Sequence, residues 1–342
     1  MRNSLLGLQV ALCAVICGCA SKDHPPTISP RGPVLTLASA IDLPSVKGGF
    51  DLMAADVDGH RLFVAAQDNN TVEVLDVKTG RPLTSIPGFR QPKGIVYIAA
   101  AHKLYVSNKD DGAVDILDSD SFRRLGRVDF KSKANNIHFD ERSRIIYVGY
   151  GDGAIGSINT ADDSRGPDVS LASYPKQFRL EHDGARIFVN VPEALHVAVI
   201  DRVQNRIITT WPIREAKGNV PMALDELHHR LMVACEPGRF VVLNTDDGSS
   251  VASMPIKADA DGIQYDGTRN AAYVSCGEGF LHVIQRLGPD RYQVTQTLPT
   301  TAGAGTSLWV PAWDRLYLAV PQTKDRPAAM QVYAPGLQPE RR

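Results

Sequence analysis

Residues 103–118 read KLYVSNKDDGAVDILD, two apolar runs joined by a short polar turn. The runs are rich in β-branched and aromatic residues, and the segment between them contains Asp110, Asp111 and Gly112. Aspartate satisfies backbone groups in tight turns and glycine accepts positive φ, so this pattern is typical of a β-hairpin. The sequence therefore predicts two adjacent antiparallel strands in this segment.

The first strand of this hairpin belongs to a cadence that occurs seven times. Each copy runs from a small or basic residue through an apolar and a bulky residue to valine or leucine. A period of about 40–45 residues filled with strand-like runs is typical of propeller blades, whereas helical repeats would need 3.6-residue periodicity. We therefore predict an all-β fold, a seven-bladed β-propeller of four-stranded blades. The bulky third residues lie 42, 42, 41, 44, 41 and 44 positions apart: Phe63, Tyr105, Tyr147, Phe188, Met232, Tyr273 and Tyr317.

The seventh repeat runs out of chain before its fourth strand. It supplies strand-like runs at 306–311, 316–320 and 330–333 and then ends in a Pro-rich and Arg-rich tail. Residues 34–43 have the pattern of an outer strand and precede the first blade. We expect this segment to complete blade seven and close the ring, which leaves no unpaired innermost edge. Residues 34–335 then form one propeller domain, followed by a polar tail at 336–342.

The N-terminal residues 1–18 resemble a bacterial signal peptide. A basic residue, Arg2, precedes an apolar run over 5–16 that is too short to span a bilayer. Cys19 follows a small residue, as in the lipobox of bacterial lipoproteins, where the thiol carries lipid. Ordinary secretion without lipid and a transmembrane anchor are the alternatives. The segment 19–33 is polar and Pro-rich, so we expect a tether that holds the propeller on the periplasmic side, at the outer membrane.

Composition limits the partners and leaves the cysteines open. Removal of residues 1–18 leaves 36 basic and 38 acidic side chains, a net charge of about −2, which provides no general attraction to nucleic acid. Membrane contact is therefore expected only through the lipid anchor. Cys235 and Cys276 lie 41 residues apart, at equivalent places in neighbouring blades. They either form a disulfide, which export permits, or stay as buried free thiols.

The segment Tyr105–Asp118 resembles the YVTN repeat of bacterial surface and periplasmic propellers. Its consensus is YVTN, a polar turn and a V-x-V-I-D strand. Residues 50–65 resemble the opening blade of the YncE-like group of that family. The resemblance covers every blade and implies the propeller fold. It implies no particular reaction, since most members have none established, although the wider seven-bladed group contains lactonases and related folds carry haem or quinone cofactors.

The loops that lead into the inner strands predict a polar ring at one mouth of the central channel, where propellers bind ligands. We call them the mouth loops: residues 49–51, 92–94, 135–138, 175–177, 219–221, 261–262 and 305–307. This ring is the natural candidate site. Aligned on the repeat, it consists of Asp51, Lys93, Asn135 or Asn136, Lys176, Asn219, Asp261 and Thr306.

Three interpretations of this ring stay open. Lys93 and Lys176 favour an anion or a peptide carboxylate. Asp51, Asn136, Asn219 and Asp261 would instead offer oxygen ligands to Ca²⁺ or Mg²⁺, as a lactonase-like hydrolase would need, with His138 as a further acid/base candidate. The third interpretation is a water-filled channel whose side chains pair with one another.

An acidic residue also follows each second strand on the same face, either as a rim that steers cationic partners or as ordinary turn chemistry. The leading hypothesis is a binding or scaffolding module for an unidentified protein, peptide or small anion. We assign it no catalytic residue and expect no cofactor.

Overall fold

The computed structural model describes residues 33–337, which form seven antiparallel sheets of a β-propeller. Six sheets have four strands, and the sheet of blade three has five because its outer strand is in two pieces. The strands follow chain order from the inside outwards, except that the last sheet takes its outer strand from the start of the described chain. The predicted fold class is therefore confirmed. The predicted signal peptide, Cys19, nearly all of the tether and residues 338–342 of the tail lie outside the described residues, while 336 and 337 belong to the strand Ala328–Leu337.

Blades one to four follow the predicted period closely. In the third blade the outer strand is split into two short pieces that both pair with the third strand. The strands of these blades are Met53–Asp56, Arg61–Ala66, Thr71–Asp76 and Arg81–Pro87; Pro92–Ile98, Lys103–Asn108, Ala113–Asp118 and Arg124–Asp129; Ile137–Asp140, Ile145–Tyr150, Ala154–Asn159, Ser164–Arg165 and Val169–Ser170; and Phe178–Leu180, Arg186–Val191, His196–Asp201 and Arg206–Pro212.

Blades five to seven complete the ring, and four short 3-10 turns are the helical elements of the described residues. These turns are Gln67–Asn69, Ala99–Ala101, Pro192–Ala194 and Pro311–Trp313. No helix within 33–337 is long and apolar enough to cross a bilayer. The strands of the last three blades are Met222–Asp225, Arg230–Cys235, Arg239–Asn244 and Ser250–Pro255; Ala260–Asp266, Ala271–Cys276, Phe280–Gly288 and Arg291–Pro299; and Ser307–Val310, Arg315–Val320, Ala328–Leu337 and Pro33–Leu43.

The segment Pro33–Leu43 closes the ring as predicted. It pairs antiparallel with Ala328–Leu337, from Leu43 opposite Ala328 to Pro33 opposite Leu337, with one irregularity between Leu37 and Ser39. Its backbone is also tied to the preceding blade. The side chain of Gln296 donates to the carbonyl of Leu35 at 3.1 Å and accepts from its N–H at 2.8 Å. The closing strand thus belongs to blade seven and is clamped to blade six.

The hydrophobic core lies between the faces of neighbouring blades. Phe63 and Val74 of blade one pack against Leu104 and Val106 of blade two, and similar clusters fill the other joints. The bulky third residue of the cadence is fully buried in most copies, as at Phe63 and Tyr105. Burial of these aromatic and β-branched faces is the main force that stacks one sheet on the next.

The basic residue that begins the cadence binds the next blade. Arg61 pairs with Asp56 at 2.7 Å, and its guanidinium also donates to the carbonyl of Ser119 in blade two at 2.8 Å. Lys103 reaches Asp163 in blade three at 2.6 Å. Equivalent reaches join Arg186 to Thr245 and Arg230 to Asp290. The charged start of the repeat is therefore a structural joint.

Cys235 and Cys276 are buried free thiols and form no disulfide. Burial raises the pKa of each thiol to about 12, and nearby carboxylates add to the shift. Both groups therefore stay protonated near neutral pH and act as small apolar residues in the core. Of the two alternatives that the sequence left open, the structure shows the free thiols.

Candidate functional site

The mouth loops surround a small polar cavity of about 160 Å³ at one end of the channel. Six of the seven predicted positions line it, with Asn135 and Asn136 both present. The loops are held together by backbone bonds across the joints, such as Leu52 N–H to the Lys93 carbonyl at 3.1 Å and Gln177 N–H to the Val220 carbonyl at 3.3 Å. The lining residues from the predicted ring are Asp51, Lys93, Asn135, Asn136, Lys176, Asp261 and Thr306.

Asn219 is the predicted position that does not line the cavity. Its side chain is fully buried, and its amide donates to the Asn190 side chain at 2.8 Å and the His196 carbonyl at 3.1 Å. Asn219 therefore fixes the joint between blades four and five. Alignment on the repeat placed the residue in the right loop but could not show that its side chain turns into the protein.

Lys93 is neutralised within the cavity wall. Its ammonium group lies 2.9 Å from the Asp51 carboxylate and also donates to the side chain of Gln67. Asp51 in turn accepts from the N–H of Leu52 at 3.0 Å. The charges of Lys93 and Asp51 thus cancel each other. The net charge of the cavity is set by the other charged residues that line it.

Lys109 and Lys176 carry the positive charge of the cavity. Neither forms an ion pair with a described residue, and the ammonium of Lys176 lies 5.7 Å from the ring centroid of Tyr174. Burial lowers the pKa of Lys109, and the charges of Lys93 and Lys176 lower it further. Repulsion among the three ammonium groups shows that they share one electrostatic environment. Two of them have no carboxylate partner there, an arrangement that suits an anion.

Asp261 is the titratable acid of the mouth. The protein around the carboxyl group raises its pKa to about 6, and repulsion from Asp51 and Asp259 adds to the shift. The side chain is open to the channel, and its carboxylate has no hydrogen-bond donor among residues 33–337. Asp261 therefore gains a proton close to neutral pH, which makes the mouth more positive as the pH falls.

Asn136 contributes a buried acceptor without a partner. The side chain is 5% exposed, and its Oδ1 has no hydrogen-bond donor among the described residues. The adjacent Asn135 is engaged, because its amide donates to the Tyr174 hydroxyl at 2.8 Å. A buried acceptor normally has a partner. Asn136 is thus available to a water or ligand donor in the cavity.

The mouth does not suit a divalent metal. Within the described residues, no three His, Cys, Asp or Glu side chains come together as a metal-binding group. The Asp51 carboxylate is already bound by Lys93, and Lys109 and Lys176 line the same cavity. Uncompensated ammonium groups oppose a second cation at this position. The oxygen ligands that the sequence offered for Ca²⁺ or Mg²⁺ are therefore not assembled into a site.

Several of the acidic residues that follow the second strands bind backbone in or just before the mouth loops. Asp68 accepts from the N–H of Gly49 at 2.7 Å, and Glu236 accepts from the N–H of Asp259 at 3.0 Å. Glu278 does the same for Ala258 at 3.0 Å. Of the two interpretations of this acidic series, local structure accounts for these members. The full predicted series is Asp68, Asp110, Asp111, Asp152, Glu193, Glu236, Glu278 and Asp325.

Seven residues that line the cavity are absent from the predicted ring: Phe50, Leu52, Gln67, Lys109, Tyr174, Gln177 and Val220. Lys109 and Gln67 occupy the same repeat position, directly after the second strand in blades two and one. Alignment of this position across the blades, in addition to the mouth loops, finds both residues. Tyr174 lies just before the mouth loop 175–177 and has no signal in the repeat.

Comparison with known proteins supports the fold alone. No family model and no curated protein matches the sequence. A chain of hydrazine synthase from Kuenenia stuttgartiensis is similar in structure, with a TM-score of 0.69 and 17% identity over 82% of this chain and 94% of that one. A chain of a mitotic checkpoint complex has a TM-score of 0.69 and 13% identity, over 96% of this chain and 99% of the other. This chain is thus a β-propeller, a scaffold that serves many unrelated functions.

Proposed function

We propose that this protein is an exported, lipid-anchored binding module of the YVTN-repeat type that takes a small anion or a peptide carboxylate at the channel mouth. The observation that carries the proposal is the pair Lys109 and Lys176, which line the cavity without a carboxylate partner among the described residues. Two partly desolvated ammonium groups attract a carboxylate more strongly than they would in open water.

The size and polarity of the cavity favour a small charged group over a bulky apolar ligand. The cavity volume of about 160 Å³ is below the roughly 300–1,000 Å³ of typical drug-sized pockets. Its wall is built mainly from lysine, aspartate and amide side chains. A terminal carboxylate of a peptide or partner protein would fit such a cavity, with the rest of the partner lying on the surrounding loops.

The site is also rigid enough to bind without rearrangement. The hydroxyl of Ser275 donates to the Gly305 carbonyl at 2.7 Å and so locks the mouth loop of the next blade. Lys93 is fixed by Asp51. A pre-formed site loses less conformational entropy on binding. A structurally similar chain occurs in a mitotic checkpoint complex, and a protein-binding role for this propeller is compatible with that occurrence.

The experiment is a calorimetric titration with N-acetyl-trialanine that carries a free C-terminal carboxylate, with its C-terminal amide as the uncharged probe. We expect the parent to prefer the carboxylate and to bind it less tightly as salt increases. The double variant Lys109→Met, Lys176→Met should lose about tenfold or more in affinity, because two charge-assisted contacts disappear. Its folding should barely change.

Lys133→Met is the matched control for this titration. Lys133 lies 5.9 Å from the Tyr174 ring centroid and pairs with Asp152, but it does not line the cavity. Its loss should change affinity by less than about twofold, as expected of a screened surface charge. The proposal is rejected if the parent binds the acid and the amide equally, or if the double variant binds the acid with the affinity of the parent. Either result would favour the interpretation of the mouth as a water-filled channel.

A lactonase-like hydrolase at the same mouth is the competing hypothesis. It would require an acid or base, and Asp261 with its raised pKa of about 6 is the candidate. A metal-dependent form would also require stoichiometric divalent metal in the purified protein. Metal analysis of protein purified from its native envelope therefore separates a metal-dependent hydrolase from the binding module.

The lipid anchor is tested separately through Cys19. We expect Cys19→Ala to release a soluble, folded propeller, because a single cysteine carries the lipid and the propeller itself needs no membrane. Fractionation of envelope and soluble material measures this directly, with Cys17→Ala as the control that should leave the protein in the membrane fraction. A Cys19→Ala protein that still sediments with membranes would rule out lipidation at this position.

A further inference from the structure

A second charged cavity lies at the opposite ends of the inner strands, in blades three and four. It has a volume of about 430 Å³ and contains Arg179 at its wall. Arg179 is the middle residue of the inner strand Phe178–Leu180 and is half-buried. The mouth loops contribute none of their lysines to this cavity. It is therefore a different site from the one at the channel mouth.

The contacts of Arg179 are all with neutral groups. Its Nη1 donates to the Phe178 carbonyl at 2.9 Å and contacts His138 Nε2 at 3.2 Å, and its Nη2 donates to Gln177 Oε1 at 3.3 Å. A guanidinium has five N–H groups. The Nε–H and one Nη2–H have no acceptor within the described chain, so part of the guanidinium can still donate to a ligand.

Two carboxylates that line this cavity, Asp140 and Glu181, form ion pairs with other arginines. Asp140 is paired with Arg202 at 2.8 Å, and Glu181 is paired with Arg186 at 2.5 Å. No carboxylate of residues 33–337 lies within 4.0 Å of Arg179. Burial alone lowers the pKa of Arg179 to about 10, so the group is still charged at neutral pH. A half-buried charge without a counter-ion is a cost to the fold that a bound anion would relieve.

His138 positions the guanidinium and does not neutralise it. Burial lowers the pKa of His138 to about 3, with a further contribution from the charge of Arg179. The neutral ring packs edge-on against Phe178, with centroids 4.7 Å apart. Its Nε2 can therefore accept from Arg179. The sequence placed His138 among acid/base candidates at the mouth, but the structure places it in this second cavity instead.

The equivalent position of blade six shows that folding does not require a charge here. Gln264 lies opposite Tyr273 in the same register that places Arg179 opposite Phe188. The Gln264 amide donates to the Ser307 carbonyl at 2.9 Å and accepts from the Trp309 N–H at 3.3 Å. A neutral side chain thus completes that joint. The guanidinium of Arg179 therefore has N–H donors that the joint between the blades does not need.

We propose that Arg179 is the anchor of a binding site for a small organic carboxylate with an apolar body. Phe139 and Leu180 line the same cavity and offer the apolar wall. An adjoining cavity of about 540 Å³ shares Phe139 and adds Tyr97 and Ile98, so the apolar body has room to extend. Glu141 is an exposed carboxylate at the shared rim, which favours a ligand with a single negative charge over a multiply charged anion.

Benzoate is the probe and benzamide is its uncharged counterpart. Thermal unfolding with and without each probe, together with calorimetric titration, reports binding because a ligand of the native state raises its stability. We expect benzoate to bind and to raise the unfolding temperature, while benzamide does neither. Arg179→Gln should lose about tenfold or more of the benzoate affinity, since a bidentate charged contact is removed.

Two further variants separate this site from general charge effects. Arg142→Gln removes a charge from the cavity rim, where Arg142 donates to the carbonyls of His182 and Asp183, and should change affinity by less than about twofold. The benzoate binding that Arg179→Gln removes should persist in the Lys109→Met, Lys176→Met protein, whatever binding the mouth cavity adds in the parent. The proposal is overturned if Arg179→Gln binds benzoate like the parent, or if the Lys109→Met, Lys176→Met protein binds no benzoate.

The glutamine variant also has its own folding control. Because Arg179→Gln removes a half-buried charge without a counter-ion and keeps an amide, as at Gln264, circular dichroism should show a native propeller that unfolds close to the parent temperature. Arg179→Lys keeps the charge but loses the planar fork. Arg179→Lys should therefore retain part of the benzoate affinity. A benzoate affinity of Arg179→Lys equal to that of the parent would contradict a forked contact.

Discussion

At the scale of single residues, the neighbours of a lysine in the mouth decide whether its charge is neutralised. Lys93 and Lys176 are equivalent in the repeat, yet Lys93 is bound by Asp51 while Lys176 has no carboxylate partner among the described residues. The difference comes from Asp51, which the first blade supplies next to Lys93. Repeat alignment can identify equivalent positions, but only the packed ring shows which charges cancel.

The pKa of Asp261, raised to about 6, predicts a pH effect with a definite sign. Between about pH 4 and pH 6 the folded protein holds a proton that the unfolded chain has lost, so stability falls as the pH rises. Asp261→Asn keeps the neutral form at every pH. We expect the variant to be more stable than the parent at pH 7 and equally stable near pH 4, by chemical denaturation at each pH.

Asp325→Asn is the control for this pH series. Asp325 is an exposed loop carboxylate that does not line the mouth cavity, and its removal should not reproduce the pattern. A stability difference between parent and Asp261→Asn that stays constant from pH 4 to pH 7 would contradict a perturbed Asp261. The same titration should make carboxylate binding at the mouth tighter below pH 6, because one negative charge is removed.

At the scale of the strand, the closing segment offers an internal comparison. Leu35 is 1% exposed and packs between blades six and seven, while Leu37 in the same strand is 55% exposed. We expect Leu35→Ala to cost about 2–5 kcal/mol of unfolding free energy, as for other buried leucines. Leu37→Ala should stay within about 0.5 kcal/mol. Urea denaturation of both variants measures the difference.

Similar losses in the two leucine variants would mean that the closing strand is not packed as the structure has it. A small loss at Leu35 would show that ring closure contributes little to stability. The comparison holds the substitution and the strand constant and changes burial alone. It therefore tests the packing of the closing strand without a deletion, which would also alter chain length.

The strands were predictable because their sequence signals lie within a few residues of each other. The site was less predictable because its contacts join residues that are far apart in the sequence. The cadence around Tyr105 and the Asp-Gly turn at 111–112 indicate strand type and turn within sixteen residues, and the recurrence of the cadence along the chain gives the period. The partner of Pro33–Leu43 followed from the missing fourth strand of blade seven. By contrast, the inward turn of Asn219 and the joint made by Arg61 depend on residues 23 to 58 positions away. Sequence position alone does not contain that information.

At the scale of the whole molecule, ion pairs between charged side chains connect the blades in addition to the hydrophobic core. Arg202 of blade four pairs with Asp140 of blade three at 2.8 Å, and Arg269 of blade six pairs with Asp314 of blade seven at 2.8 Å. These contacts lie in partly buried positions, where ion pairs are screened less than on the open surface. They therefore help to align neighbouring sheets around the ring.

The pairing of Pro33–Leu43 with Ala328–Leu337 also sets a schedule for biosynthesis. At about 5–20 residues per second, roughly 15–60 s pass between synthesis of Pro33–Leu43 and synthesis of its partner strand. Leu35, Ile41 and Leu43 lack their backbone partners in blade seven until that strand is present. A premature stop codon before Ala328 would therefore damage both ends of the described fold, because it removes Ala328–Leu337 and leaves Pro33–Leu43 without a strand to pair with.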